Sequence, residues 1–255
     1  MIKAIWNNIF VETFNKFEAE KSTSKQIDTK AITIFIVVAF SLVFIQYLGS
    51  YSFWGNSLDN IKTIFPNARL FQLTYWVSVL IVSYLIIPII VIKLFFKENL
   101  KNYGLSPKGF FKGYRLYLVF FIFMVPLILL ASTTEGFQYK YPFYNPNEES
   151  LWPNFIIWQF LYLLQFFALE FFFRGFMIHG LKKQFGFYSI FIMMIPYVMI
   201  HFSKPMPETI GAIFAGIILG TLSLKSRSIW LGVAIHYSVA ITMDLAALWQ
   251  KGYFD

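Results

Sequence analysis

An acid and a base lie four residues apart in the most apolar part of this sequence. Glu170 and Arg174 occur in the run LEFFFRG, and no other formally charged residue occurs between Asn154 and Leu181. On an α-helix this spacing places the two side chains on one face, one turn apart, with the acid on the N-terminal side. Charges inside a segment long enough to cross a bilayer are costly, so the pair marks a candidate functional site. A buried ion pair that only fixes the register of the helix is the alternative interpretation.

Two histidines lie at span depth elsewhere in the sequence. His201 ends one apolar segment and His236 lies within another, and neutral imidazole both ligates metals and titrates near neutral pH. At a rise of about 1.5 Å per residue, Glu170, His201 and His236 lie roughly 17, 21 and 12 Å from the inner ends of their spans. We therefore expect all three to face the interior of the protein, within reach of a shared water. A hydrogen-bonded core role is the alternative for either histidine alone.

The composition indicates a membrane protein. The 255 residues are 58% hydrophobic and 21% aromatic, and only 13% are charged, which is about half the charged fraction of a soluble domain. The chain contains no cysteine, which excludes disulfides, thiolate catalysis and cysteine-ligated metals. The net charge of +8 comes mainly from lysines and arginines in short loops, a pattern that sets membrane orientation and does not indicate nucleic-acid binding.

The hydrophobic pattern predicts an all-α, polytopic bundle of about seven to eight transmembrane helices. Residues 1–30 form an amphipathic segment that lies on the membrane surface or docks on the bundle, and residues 31–255 form the bundle itself. The seven predicted spans are 31–49, 72–92, 116–132, 151–181, 187–201, 207–224 and 228–250, and an eighth helix is possible within 50–71. A stripe of small residues, Ala212, Gly216 and Gly220, predicts a close helix contact.

The distribution of basic residues predicts the orientation. Segments on the same side as the N-terminus carry most of the lysines and arginines, so we expect the N-terminus in the cytoplasm and the C-terminus outside. The expected location is the bacterial cytoplasmic (inner) membrane, with lipid as the surrounding medium.

The order of these features resembles the CPBP family, the CAAX-prenyl-protease and bacteriocin-processing intramembrane endopeptidases. The resemblance covers about residues 150–245 and rests on three motifs. The first is Glu170-FFF-Arg174-Gly175, the second is Tyr197-VMI-His201, and the third contains His236 after the run FAGIILGTLSLKSRSIW. The resemblance implies a CPBP-protease-like bundle in which Glu170, Arg174, His201 and His236 are active or vestigial site residues.

Two positions depart from the family pattern. The family's first motif begins with two glutamates, and the first of them, taken as the water-activating base, is Leu169 here. The third motif ends in an asparagine four residues after the histidine, and that position is Ala240. Leucine cannot act as a base and alanine cannot donate to an oxyanion. A one-residue shift rotates a side chain by about 100° on a helix, so Glu170 does not simply replace the missing base.

Two functional hypotheses follow. In the first, the protein is a catalytically degenerate homologue that serves as a binding or scaffold subunit of a membrane complex, without a cofactor. In the second, it is an active intramembrane endopeptidase that uses Glu170, His201 and His236 to activate water, with a divalent metal such as zinc as a possible ligand of the same three residues. The expected partner is a membrane protein in the first case and a peptide substrate in the second, and neither involves nucleic acid.

Overall fold

Helices dominate the computed structural model, which describes residues 6–23, 27–49, 67–106, 114–146 and 150–254. The N-terminal helix (residues 7–19) begins as a π-helical turn, Asn7–Val11, and continues as α1. The α-helices are α1 (Glu12–Ala19), α2 (Thr29–Tyr47), α3 (Ala68–Phe95, with two π-helical turns), α4 (Tyr114–Ser132), α5 (Glu135–Lys140), α6 (Asn154–Glu170), α7 (Gly180–Phe185), α8 (Ser189–Met199), α9 (Met206–Ser226) and α10 (Trp230–Gln250). A π-helical segment, Phe171–His179, joins α6 to α7.

The described residues contain six helical stretches that are long and apolar enough to cross a membrane. The predicted all-α, polytopic membrane fold is thereby confirmed. The longest stretch, Asn154–Met199, has 46 residues and covers most of both the fourth and the fifth predicted spans. They are separated at Gly186, whose φ of +55° favours glycine. The eighth helix that the sequence allowed within 50–71 falls almost wholly outside the described residues.

The chain divides into two compact units. The first contains residues 1–39, 87–114 and 170–232, and the second contains residues 40–86, 115–169 and 233–255. Glu170, Arg174 and His201 therefore belong to the first unit, whereas Leu169, His236 and Ala240 belong to the second. The sequence-based division at residue 30 separated an N-terminal segment from the bundle. In the structure, residues 7–19 pack within the first unit.

The N-terminal helix docks through its apolar face. Phe17 is fully buried, and the ring of Phe14 makes edge-to-face contacts with Phe187 and Tyr188. Polar contacts surround this apolar patch: Lys225 Nζ donates to the carbonyl oxygen of Asn8 at 2.7 Å, and Arg227 lies 3.4 Å from Glu20. Of the two placements that amphipathicity allowed, docking on the bundle is the one found for these residues.

A partly buried cluster of polar residues ties the start of α2 to the segment after α3. Lys30 Nζ lies 2.8 Å from both carboxylate oxygens of Glu98, and the hydroxyl of Tyr103 donates to Glu98 at 2.6 Å. Partial burial acts to raise the pKa of Glu98, but the hydrogen bonds from Lys30 and Tyr103 outweigh it, and the pKa of this carboxyl is lowered. Burial and the adjacent Glu98 carboxylate both raise the pKa of Tyr103.

Glycines set the close approach of helices in the first unit. A Cβ at Gly216 would lie 3.2 Å from Met194, and one at Gly220 would lie 3.0 Å from Ile190. Both glycines therefore face α8, which confirms that the small-residue stripe of α9 serves helix packing. The same contact places α8, with Tyr197, next to the π-helical segment.

The core of the second unit is aromatic. Trp158, Tyr162 and Phe166 occur every fourth residue of α6, and their rings follow one another at centroid distances of 4.5 and 4.6 Å. The surrounding cluster includes Leu73 and Val77 of α3 together with Ala240 and Leu248 of α10. This aromatic column (Trp158, Tyr162 and Phe166) determines the surroundings of the third motif.

Candidate functional site

Glu170 and Arg174 form a buried ion pair in the first unit. Arg174 Nη1 lies 3.2 Å from Glu170 Oε1, and the exposed fraction of the two side chains is 0% for Arg174 and 1% for Glu170. A charge pair without access to water requires good geometry, because its desolvation opposes its Coulomb attraction. The pair is thus a fixed element of this site.

The helix changes type at this pair. Glu170 is the last residue of α6, and the nine residues Phe171–His179 are π-helical and all buried. π-Helical turns are rare and often occur at functional sites. Within this segment Gly175 passes close to the backbone, since a Cβ there would lie 2.7 Å from the carbonyl oxygen of Tyr103.

Tyr197 is the second partner of Arg174. The guanidinium carbon lies 4.1 Å from the centroid of the Tyr197 ring, which is the geometry of a cation–π contact. The ring of Phe173 meets the same tyrosine edge-on at 5.3 Å. Tyr197 therefore links the first motif on the π-helical segment to the second motif on α8.

His201 follows α8 and has a defined tautomer when it is neutral. Its Nδ1 lies 2.8 Å from the backbone carbonyl oxygen of Tyr197. A carbonyl oxygen only accepts, so Nδ1 carries the proton and Nε2 carries the lone pair. The backbone carbonyl of His201 in turn accepts a hydrogen bond from Thr209 Oγ1 at 2.8 Å. Glu170, Arg174, Tyr197 and His201 thus form one contiguous set within the first unit.

The first turn of α10 approaches Glu170 from another direction. A Cβ at Gly232 would lie 2.6 Å from Glu170 Oε2, so only glycine lets the backbone come this close. Gly232 is the third residue of α10, and the N-terminal turn of a helix favours negative charge. Arg174 and the first turn of α10 thus both lie against the carboxylate of Glu170.

His236 and Ala240 have apolar and aromatic neighbours in the second unit. The imidazole of His236 lies 4.5 Å from the ring of Phe166, the last member of the aromatic column. Ala240 is buried in the cluster that contains Tyr162 and Phe166. The third motif therefore packs along the aromatic column of α6.

Asp244 is a buried carboxylate with a structural role that its position in the sequence did not indicate. It accepts hydrogen bonds from the backbone N–H of Phe143 at 2.9 Å, from Trp158 Nε1 at 3.0 Å and from Gln159 Nε2 at 3.1 Å. These contacts join α6, α10 and the segment that follows α5. One carboxylate thereby holds three parts of the second unit together.

Comparison with protein-family models gives a match in the C-terminal part of the chain. Residues 150–242 match the model of the type II CAAX prenyl endopeptidase Rce1-like family. This stretch is Rce1-like. The match covers about a third of the chain and includes all three motifs, so the predicted CPBP resemblance is confirmed. No curated protein and no solved structure matches the chain. With six apolar helical stretches among the described residues and an Rce1-like region, the protein is an integral membrane protein.

The two departures from the family pattern lie in buried, apolar places of the Rce1-like region. Leu169 is buried with a 5% exposed fraction, and Ala240 has a 4% exposed fraction. One turn before Leu169, Gln165 is also buried, and its Oε1 has no hydrogen-bond partner within the described residues. The sequence pattern does not single out Gln165 or Gly232, and it marks Tyr197 only as part of the second motif.

The metal hypothesis concerns Glu170, His201 and His236. Within the described parts of the chain, no group of three or more His, Asp and Glu side chains is placed to hold a metal ion. Glu170 is already engaged by Arg174 in the first unit, and His236 is described within the second. Convergence of the three on one water or one ion stays a prediction.

Proposed function

We propose that this protein is a catalytically degenerate Rce1-like membrane protein that binds a polypeptide as a scaffold subunit of a membrane complex. The observation that supports this best is the setting of Ala240. The family's polar partner is replaced by a methyl group, and that methyl group lies in an aromatic cluster with Tyr162 and Phe166. A polar, water-binding function at this position is therefore replaced by apolar packing.

The surroundings of Glu170 support the same proposal. Leu169 stands where the family's base is expected, and the neighbouring Glu170 is held by Arg174 and lies against Gly232. A general base must reach the proton that it removes, directly or through one water. A carboxylate that faces a guanidinium on one side and a helix backbone on the other is restricted in how it can orient towards a water.

An active intramembrane endopeptidase is the alternative, and the tautomer of His201 favours it. With Nδ1–H donated to Tyr197, the lone pair of His201 lies on Nε2, where it can accept a proton or bind a metal. In this alternative Glu170 accepts a proton from water while His201 and His236 hold the water and the developing oxyanion. A divalent ion such as zinc would act as a Lewis acid. A peptide would then be the substrate.

The test separates chemistry from binding. An epitope-tagged wild type is extracted in mild detergent, and a membrane protein that copurifies in fixed stoichiometry is expected. In a deletion strain, Glu170→Gln should complement as well as wild type when protein levels are equal. Glu170→Gln leaves Arg174 buried beside a neutral amide. The matched control is therefore Glu170→Gln/Arg174→Met, which removes both charges.

Two results would contradict the scaffold proposal. One is a purified wild-type protein that cleaves a peptide mixture at defined positions while Glu170→Gln does not. The other is an abundant Glu170→Gln protein that fails to complement although the partner still copurifies.

The location that we propose is the bacterial cytoplasmic membrane with the N-terminus inside. The excess of lysine and arginine in the segments on the N-terminal side supports this orientation. A reporter fused to each terminus, active on only one side of the membrane, tests it.

A further inference from the structure

Three lysines near the docked N-terminal helix have no carboxylate oxygen within 4 Å in the described part of the chain. Lys16, Lys182 and Lys183 take part in none of the ion pairs found among the described residues, whereas the other cations of this region do. Lys182 is the least exposed of the three, being half-buried. Its ammonium lies 6.0 Å from the centroid of the Phe17 ring, beneath the docked helix.

The nearest polar neighbour of Lys182 is a neutral acceptor. Lys182 Nζ lies 3.4 Å from Nδ1 of the buried His179, and His179 Nε2 lies 3.2 Å from Ser223 Oγ. An ammonium group only donates, so Nδ1 accepts and Nε2 carries the proton. A neutral imidazole supplies no charge to balance the ammonium.

The charged groups around Lys182 are mostly cations. Among the described residues, Lys182 interacts electrostatically with the cations Arg227, Lys30 and Lys16 and with the acid Glu20. Glu20 is paired with Arg227 at 3.4 Å, and Lys30 is paired with Glu98 at 2.8 Å. Both nearby carboxylates are thus engaged by other cations. The folded protein therefore concentrates positive charge at a half-buried position, where Coulomb repulsion is stronger than in water.

A phosphate group is the anion that suits this arrangement. Its oxygens accept several hydrogen bonds at once from ammonium and guanidinium donors. The site lies beside a docked amphipathic helix whose Trp6 and Phe14 are exposed, as in helices that lie at the level of lipid headgroups. A headgroup phosphate at this level would balance the charge without a change of fold.

We infer that Lys182, together with Lys16 and Arg227, forms a phosphate-binding site beneath the N-terminal helix, filled by an anionic phospholipid headgroup or by a free phosphate. This inference is independent of whether the protein cleaves peptides.

Thermal unfolding of the full-length protein in nanodiscs tests the inference and distinguishes the two sources. The three conditions are phosphatidylcholine alone, phosphatidylcholine with phosphatidylglycerol, and phosphatidylcholine with inorganic phosphate at constant ionic strength. A ligand that binds only the folded state raises the unfolding temperature, and we expect a rise of about 3 °C or more for wild type. A rise with phosphatidylglycerol alone identifies the headgroup, and a rise with inorganic phosphate as well identifies free phosphate.

The decisive variant is Lys182→Met. It should lose most of the anion-dependent rise, and in phosphatidylcholine alone it should unfold at or above the wild-type temperature, because a repelled charge has been removed. Lys225→Met is the matched control: it removes one cation that contacts the same helix, but Lys225 is bound to Asn8, so the anion response should remain. Equal anion responses in wild type and Lys182→Met would overturn the proposed site. A wild-type protein whose unfolding temperature rises with neither anion would also overturn it. So would a Lys182→Met protein that unfolds well below the wild-type temperature in phosphatidylcholine alone.

Discussion

The carboxylate of Glu170 lies against the backbone of Gly232, so closely that a Cβ at position 232 would be 2.6 Å from Oε2. Real Cβ atoms do not make such contacts, and the carboxylate cannot simply turn away, because Arg174 holds it at 3.2 Å. The glycine is thus part of the site even though it has no side chain. It fixes how near the first turn of α10 comes to the first motif.

We predict that Gly232→Ala lowers the free energy of unfolding by about 1–3 kcal/mol, the usual cost of overpacking. Denaturant unfolding in detergent measures the change. Gly211→Ala is the control: Gly211 is also helical, nothing lies within 4 Å of its added Cβ, and alanine there should be neutral or stabilising by up to about 1 kcal/mol. Adding Glu170→Asp, which shortens the acid, should recover part of the loss at Gly232→Ala. Equal effects at the two glycines would contradict the contact.

The second prediction concerns the buried ion pair. Arg174→Ala leaves the carboxylate of Glu170 without its guanidinium in a site with almost no exposure, at a cost of roughly 3–5 kcal/mol. The yield of folded protein after membrane extraction should fall sharply. Glu170→Gln/Arg174→Met should restore much of the yield, since it removes both charges. A normal yield of folded Arg174→Ala protein would show that the buried carboxylate of Glu170 does not require Arg174.

Much of this first motif could be predicted from the sequence, because its contacts are local. The spacing of Glu170 and Arg174 is enough to bring them onto one helix face, and the apolar run around them predicts burial. The π-helical segment could not be predicted, since the sequence pattern does not mark where bonding between residues four apart gives way to bonding between residues five apart. The membrane-spanning helices could likewise be predicted from the lengths of the apolar segments, and the Rce1-like region from the order of its motifs.

The remaining parts of the site depend on residues distant in sequence. Gly232 matters only because α10 passes Glu170, and nothing in the pattern around position 232 shows that approach. Asp244 likewise has three donors that come from positions 85 to 101 residues away. Such partners are fixed by tertiary packing, which hydrophobic periodicity does not encode.

The third prediction uses the pH dependence of the Lys30–Glu98–Tyr103 cluster. The pKa of Glu98 is lower in the folded protein than its ordinary value, so its contribution to stability is full above the unfolded-state pKa of about 4.3 and is lost as the pH falls through the folded-state pKa. When the pH is lowered from 6 to below about 4, the free energy of unfolding should therefore fall more for wild type than for Glu98→Gln. Parallel thermal unfolding curves for the two proteins across this range would contradict the prediction.

The last prediction concerns Ala240, on which the scaffold proposal depends most. If the family's polar site were still present, Ala240→Asn would place its amide among polar groups and water, and stability would hardly change. Ala240 is instead a buried member of the apolar cluster that also contains Tyr162 and Phe166. An amide buried there without partners costs roughly 1–3 kcal/mol, in addition to the strain of a larger side chain. Ala240→Asn should thus unfold more readily than Ala240→Leu, a variant of similar size without polar atoms, and the comparison removes the effect of volume. Denaturant midpoints of the two variants, with peptide cleavage assayed in parallel, measure both expectations. A stable Ala240→Asn protein that gains cleavage activity would show that a single substitution restores catalysis in the Rce1-like region. That result would favour the endopeptidase alternative.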